Sequence, residues 1–419
     1  MSNQAINSDS ILRQIKARLS LRAPQAESLN ILDFLRKNLP LTKDADPAAA
    51  LATIGGTYSA VTDFERDFPS LCFALATGVG KTRLMGAFIS YLFMAGKSRH
   101  FFVLAPNTTI YEKLIGDFTP GNEKYVFKGI AEVALAAPVI ITGETWDKSG
   151  LMLDSAERNN GMVVNIFNVD KINKDGGRIK KLHEYIGQSY FDYLAELPDL
   201  VLLMDEAHRY RGKAGWKAVG ELHPILGLEL TATPRSVGAR GERFKNVIFD
   251  YSLGQAMADG FVKEPAVATR ENFRADSVTE DMLQRIKLED GIHCHEFVKA
   301  ELEIYAQQTG RKRVHPFMLV VAQDTTHAEE VRQIIEADDF FGGRYKGRVI
   351  RVDSGTTAED ADEATARLLA LEDSTDTDIV IHVNKLKEGW DVRNLYTIVP
   401  LKAFASEILT EQTLGRGLR

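Results

Sequence analysis

A chain of 419 residues with 44% hydrophobic side chains and a formal net charge of -7 has room for two or three buried cores and is too acidic to coat nucleic acid by bulk charge. No apolar run reaches membrane-spanning length, the opening residues MSNQAINSDSILRQIKARLS lack the apolar core and cleavage site of a signal peptide, and the two cysteines, Cys72 and Cys294, make no disulfide framework. The expected compartment is the cytoplasm, and an acidic surface still leaves room for a local basic groove that grips phosphates.

Residues 1 to about 70 read as helices joined by polar loops, broken at Leu39-Pro40 and Asp46-Pro47. Within them, Leu21-Arg22-Ala23-Pro24-Gln25 sets a glutamine upstream of the next motif, and an amide carries a donor and an acceptor side by side, as the edge of adenine does. The bland alternative for Gln25 is a surface glutamine. Leu71 to Leu75 is a short apolar run without helical spacing, as expected of a strand covered on both faces, and Arg83 to Ala95 has the spacing of a helix. Between them lies ATGVGKT, Ala76 to Thr82. Strand, glycine turn and helix make a phosphate cradle. The backbone of Thr77, Gly78, Val79 and Gly80 can turn its N–H groups inward, the helix N-terminus faces the same anion, Lys81 reaches the outer phosphates and the Thr82 hydroxyl can ligate magnesium. The general GxxxxGK[ST] pattern would place glycine where Leu75 stands, so the stretch follows a variant form.

Further apolar strands are expected at His100–Ala105, Pro138–Thr142, Met162–Phe167, Asp199–Met204 and, as the last of this domain, Leu226–Leu230, with helices between them. Strands interleaved with helices imply a parallel sheet whose ligands gather at the carboxyl ends of the strands. Asp205-Glu206-Ala207-His208 falls at one such end. Adjacent buried carboxylates are costly unless a cation and a water use them, so Asp205 is expected to hold magnesium and Glu206 to orient or deprotonate the attacking water. His208 would link this site to Thr231-Ala232-Thr233-Pro234, at the end of the next strand. Candidate basic patches are Lys171, Lys174, Arg178, Lys180 and Lys181, then Arg209, Arg211, Lys213 and Lys217, each equally readable as a solvated helix face.

From Tyr251 to about Val314 the spacing suggests a linker with a small helical insert. His293-Cys294-His295 falls there, but three candidate ligands in three residues with no fourth nearby build no tetrahedral zinc site. Alternation resumes with strands at Pro316–Ala322, Arg348–Val352, Asp378–Val383 and Leu395–Val399 and helices at Thr325–Ala337 and Ala358–Leu371. The expected division is an N-terminal helical segment (1–70), an α/β domain (71–250), the linker (251–314) and a second α/β domain (315–419).

The ordered set ATGVGKT, DEAH, TATP, EGWD and QTLGRGLR resembles the superfamily-two helicases, and DTTHAEE (324–330), HVNKLKEGWDVRNLYTIVPL (382–401) and the closing QTLGRGLR look like the Res subunit of type III restriction enzymes. The resemblance implies two tandem RecA-like α/β domains with parallel sheets, ATP and magnesium (Mg2+) as cofactors, DNA as the track and a Mod-type methyltransferase subunit as the partner that reads the sequence. Carried over position by position, Lys81, Thr82, Asp205 and Glu206 take the phosphate, metal and hydrolytic roles. Gln25, Gly389 and Asp391 contribute to nucleotide binding, His208, Thr231, Thr233 and Gln412 to coupling, and Arg416 and Arg419 supply the arginine finger. Relatives carry a nuclease domain built on a carboxylate, any residue, then lysine. No Asp-x-Lys or Glu-x-Lys occurs in this sequence, and the chain stops on the last arginine of the final motif. It is therefore expected to be the motor portion of a longer product. Two other readings fit the same residues: a repair or RNA helicase, and a nucleotide-binding module without turnover.

Overall fold

A computed structural model describes residues 8–168, 189–211, 219–236, 241–352, 370–371, 375–383 and 392–401. The chain divides into two compact units, Met1–Ala256 and Met257–Arg419. The expected helix 358–371 and basic patch 171–181 lie almost wholly or wholly outside the described residues, as do Lys213, Lys217, Gly389, Asp391, Gln412, Arg416 and Arg419.

The first unit is built on β1 (Ser70–Leu75), β2 (His100–Ala105), β3 (Val139–Thr142), β4 (Val163–Asn168), β5 (Val201–Asp205), β6 (Leu226–Thr231) and β7 (Val247–Tyr251). Their order in the sheet is β3-β4-β2-β5-β6-β1-β7, with parallel pairing throughout. β1, β2, β4, β5 and β6 are buried along their whole length, which is why they are written as mostly apolar runs rather than as alternating ones, with Asn165 inside β4 and Glu229 inside β6 as buried polar exceptions. β7 corrects the expectation that Leu226–Leu230 is the last strand of this domain. It pairs with the free side of β1, and as an edge strand it leaves Phe249 and Asp250 partly or fully open to solvent, so its sequence lacks the signature of a covered strand.

Helices α1 (Ser8–Arg18), α2 (Ala23–Asn38) and α3 (Pro47–Gly55) precede the sheet, and α1 and α2 pack on α4 (Lys81–Met94), the helix that follows the glycine turn. Polar side chains bolt α2 to α4. The Tyr91 hydroxyl donates to Asp33, Arg36 Nε donates to the same hydroxyl at 2.7 Å, and Lys37 pairs with Asp33 at 2.7 Å. Burial pushes the Asp33 carboxyl up, but Lys37 and Tyr91 more than offset it and leave its pKa below the ordinary value.

The second unit contains β8 (Phe317–Ala322), β9 (Val349–Val352), β10 (Ile379–Val383) and β11 (Leu395–Pro400) in the order β11-β8-β10-β9, again parallel, with apolar clusters on both faces. The helical stretch before it is one 30-residue helix, Glu280–Thr309, capped by the Thr279 hydroxyl and ended by Gly310 at φ 67°. It buries only Leu288, Gly291, Ile292 and His295, and Leu288 and Ile292 join the cluster on one face of this sheet. Its apolar spacing is correspondingly faint in the sequence.

Candidate nucleotide site

β1, β6 and β5 are consecutive in the first sheet, so the segments that leave their carboxyl ends are brought side by side. These are the glycine turn, the Thr231–Pro234 segment and the acidic turn. The glycine turn requires its glycines: Gly78 has φ 84° and Gly80 φ 99°, both on the side of the map that L-residues avoid. α4 then starts at Lys81 with no side-chain cap, leaving its first N–H groups for an anion.

Two side chains from the start of α2 hold this turn. Arg22 Nη1 donates to Gly78 O and Gln25 Nε2 to Gly80 O, both at 2.8 Å, while Gln25 Oε1 accepts the Arg22 N–H at 2.8 Å. Gln25 is buried, at 1% exposure, and each end of its amide is engaged by backbone. The amide expected to face adenine is thus a strut between α2 and the turn.

Lys81 Nζ lies 3.7 Å from Glu206 Oε1 and reaches back toward Leu75 O at 3.5 Å. Asp205 ends β5 and is buried; the Glu206 N–H donates to its Oδ1 at 3.1 Å. Glu206 itself sits at φ 48° and ψ 54°, a left-handed conformation that costs a non-glycine residue about 1–2 kcal/mol and turns its carboxylate toward Lys81. Burial first, and then the Glu206 charge, push the Asp205 carboxyl above its ordinary range against the pull of Lys81.

The acidic turn continues into a short 3-10 turn, Ala207–Tyr210. His208 Nδ1 lies 3.0 Å from Thr231 Oγ1 and 3.6 Å from Glu206 Oε2. The Thr231 hydroxyl donates to Thr233 O at 3.2 Å and accepts the Thr233 N–H at 3.1 Å, which leaves His208 Nδ1–H as the donor to Thr231. His208, Thr231 and Thr233 are all buried.

Of the two described residues of the second basic patch, Arg209 is exposed and Arg211 departs from its expected part. Arg211 is no phosphate-gripping or solvated side chain. Its guanidinium bonds Glu229 Oε2 at 2.6 Å, Glu65 Oε2 at 2.5 Å and Asn246 Oδ1 at 3.2 Å and lies 3.8 Å from the centre of the Phe244 ring. Glu229, fully buried in the middle of β6, also accepts from Arg66 Nε at 3.0 Å, Ser70 Oγ at 2.7 Å and Asn246 Nδ2 at 3.1 Å. Burial raises the Glu229 pKa, but Arg66 and then Arg211 more than offset it and leave the carboxyl below its ordinary value. This cluster went unread in the sequence. The signal that could have found it is a glutamate inside the buried run LGLELT, where a charge must have a partner.

Tandem parallel sheets, with a glycine turn and an acidic pair at neighbouring strand ends of the first, define a RecA-like motor of the superfamily-two helicase class. A family model described as "Type III restriction enzyme, res subunit" matches residues 18–236, more than half of the chain, and the chain belongs to that family. It is 24% identical over 424 residues to the Probable type III restriction-modification enzyme HindVIP Res subunit of Haemophilus influenzae, a match covering 80% of this chain and 79% of that one. Among solved structures it is similar to the ATP-dependent Type ISP restriction-modification enzyme LlaBIII bound to DNA, with a TM-score of 0.51 and 14% identity over 89% of this chain. That likeness is one of fold, and this chain spans 26% of the length of the LlaBIII chain. Among the described residues, no helix is long and apolar enough to cross a membrane.

Proposed function

We propose that the chain is the ATP-dependent DNA translocase motor of a Res-like subunit, hydrolysing ATP at the carboxyl edge of its first sheet. The observation that carries this reading is the meeting of Lys81, at the end of the glycine turn, with Glu206 at 3.7 Å, next to the buried Asp205. The backbone N–H groups of residues 77–82 and the N-terminus of α4 bind the phosphates, and Lys81 leaves Glu206 to hold the outer ones. Arg22 and Gln25 keep the turn open for them through the Gly78 and Gly80 carbonyls. Glu206 orients the attacking water and takes its proton.

The donor set suits magnesium. Among the described residues no three His, Cys, Asp or Glu converge as a metal cage, and magnesium, which keeps several waters, asks for only one or two carboxylates beside the phosphates. Asp205, buried at the end of β5, and the Thr82 hydroxyl would hold it. When bound, the ion supplies positive charge to the phosphate oxygens.

His208, Thr231 and Thr233 relay changes at the acidic pair to β6, and Arg416 and Arg419, outside the described residues, take the finger role. DNA is preferred over RNA as the track because the matched family is one of restriction enzymes and the solved relative of like fold is named as bound to DNA. A Mod-type subunit would then supply sequence recognition, and the compartment would be the cytoplasm. The test is ATP hydrolysis with double-stranded DNA, single-stranded DNA or RNA added. Stimulation by double-stranded DNA that weakens steeply with salt, and that Lys81→Ala abolishes, is the expected result. Stimulation by RNA alone would move the chain to the RNA-helicase reading, and hydrolysis undiminished in Lys81→Ala would remove the assignment of the site.

A further inference from the structure

We propose that Arg211 is a positioning residue for hydrolysis, pinning the far end of the acidic turn to the strand that carries Thr231 so that His208 and Glu206 stay in register. The inference rests on reading the site as an ATP hydrolase and goes beyond it by naming a residue outside the nucleotide motifs.

The argument is geometric. Arg211 follows the Ala207–Tyr210 turn directly, and Glu229 stands two residues before Thr231 on β6. Alternate residues of a strand share a face, so Glu229 and Thr231 project on the same side. The turn is joined to this face at two points: His208 Nδ1 meets Thr231 Oγ1 at 3.0 Å, and Arg211 Nη2 meets Glu229 Oε2 at 2.6 Å. Backbone 208–211 and backbone 229–231 close the other two sides of the ring. A segment held at one point can pivot, whereas one held at two cannot. Glu206 lies two residues before the first of these points and touches it directly, with Oε2 3.6 Å from His208 Nδ1.

The second pin is itself anchored. Glu229 is fixed by Arg66, Ser70 and Asn246, Arg211 also reaches Glu65 and Asn246, and the Phe244 ring lies against the guanidinium. A planar fork can bond Glu65 and Glu229 through separate nitrogens, and a lysine ammonium is a point charge without that fixed geometry. Buried charge clusters of this kind are seldom more stabilising than apolar packing, so their contribution is better sought in geometry than in stability.

The experiment is a double-mutant cycle in the full chain, pairing Arg211→Met with Thr231→Ala, with DNA-stimulated ATP turnover and KM measured per folded molecule. Arg211→Met leaves the Glu229–Arg66 pair balanced. It is expected to lower kcat about tenfold with KM for ATP changed less than about twofold, because turnover and not binding depends on where the turn sits. Arg211→Lys should recover part of the loss. If Arg211 acts through the His208–Thr231 contact, the double variant should be no slower than about the slower single one. Multiplying losses, or an unchanged kcat in Arg211→Met, would overturn the proposal. Should Arg211→Met not fold, the same cycle is run with Arg211→Lys, and the same additivity decides it. Lys81→Ala is the control that separates the two levels of the argument. Turnover lost in that variant together with multiplying losses in the cycle refutes the positioning role alone, whereas turnover that survives Lys81→Ala refutes the site and the positioning role together.

Discussion

Gly80→Ala is a small change that should disturb the first unit out of proportion to its size. A Cβ built on Gly80 lies 2.7 Å from Gln25 Nε2, and the residue already has φ 99°. The positive φ costs alanine about 1–2 kcal/mol. Gln25 cannot simply swing aside, since it is 1% exposed and its amide bonds both Arg22 N and Gly80 O; giving up those two bonds costs roughly 0.5–1.5 kcal/mol each. The sum is about 2–5 kcal/mol, or a fall of about 4–20 °C in the melting of a unit this size. Differential scanning calorimetry of the wild type, Gly80→Ala, Gln25→Ala and the double variant measures it. Because Gly80→Ala already expels the amide, Gln25→Ala should add little in that background. A Gly80→Ala protein melting within about a degree of wild type, or additive losses in the double variant, would refute the strut.

Other outcomes follow from the same reasoning. Glu229→Gln leaves Arg66 and Arg211 with less than their share of negative charge and should destabilise the first unit by about 3–5 kcal/mol near neutral pH. The wild-type pKa is depressed below 4.5, so the stabilisation is fully present above that pH and is lost as pH falls through the folded value; the difference in melting temperature between the two proteins should therefore shrink in acid, and one constant from pH 7 to pH 3 would contradict it. Gly291→Ala would place a Cβ 2.3 Å from Val399 Cγ2 and 3.2 Å from Met318 Sδ, so the long helix must shift on the second sheet, at about 1–3 kcal/mol, despite alanine's better helix propensity. Faster hydrogen exchange in Glu280–Thr309 and β11 is the sign to look for, and unchanged exchange would show that the packing absorbs a methyl group.

The strands were legible where burial on both faces left only apolar residues to choose from, as in Leu71–Leu75 and Val201–Met204, and the site was legible where it depends on residues contiguous in the chain. Glycine turn, acidic pair and Thr231–Pro234 segment each occupy a few consecutive positions, and a parallel sheet fixes where they emerge. What stayed hidden depends on distant partners. Arg66 meets Glu229 across 163 positions and Gln25 meets Gly80 across 55, and no local pattern announces either. Arg211 read as one of a run of basic residues because charge alone does not say which way a side chain points. β7 was missed for another reason, that an edge strand with Asp250 facing solvent carries little apolar signal.

The central claim, that the Asp205–Glu206 turn and the Lys81 loop form one hydrolytic site, is tested most directly by measuring ATP affinity and phosphate release side by side on wild type and Glu206→Gln. The variant keeps the size and hydrogen bonding of the side chain and loses the group that takes the proton from water. The account predicts ATP binding within a few fold of wild type, with turnover down by at least about a hundredfold. Turnover near the wild-type rate would contradict it, as would loss of binding in step with turnover, which would make Glu206 a structural carboxylate.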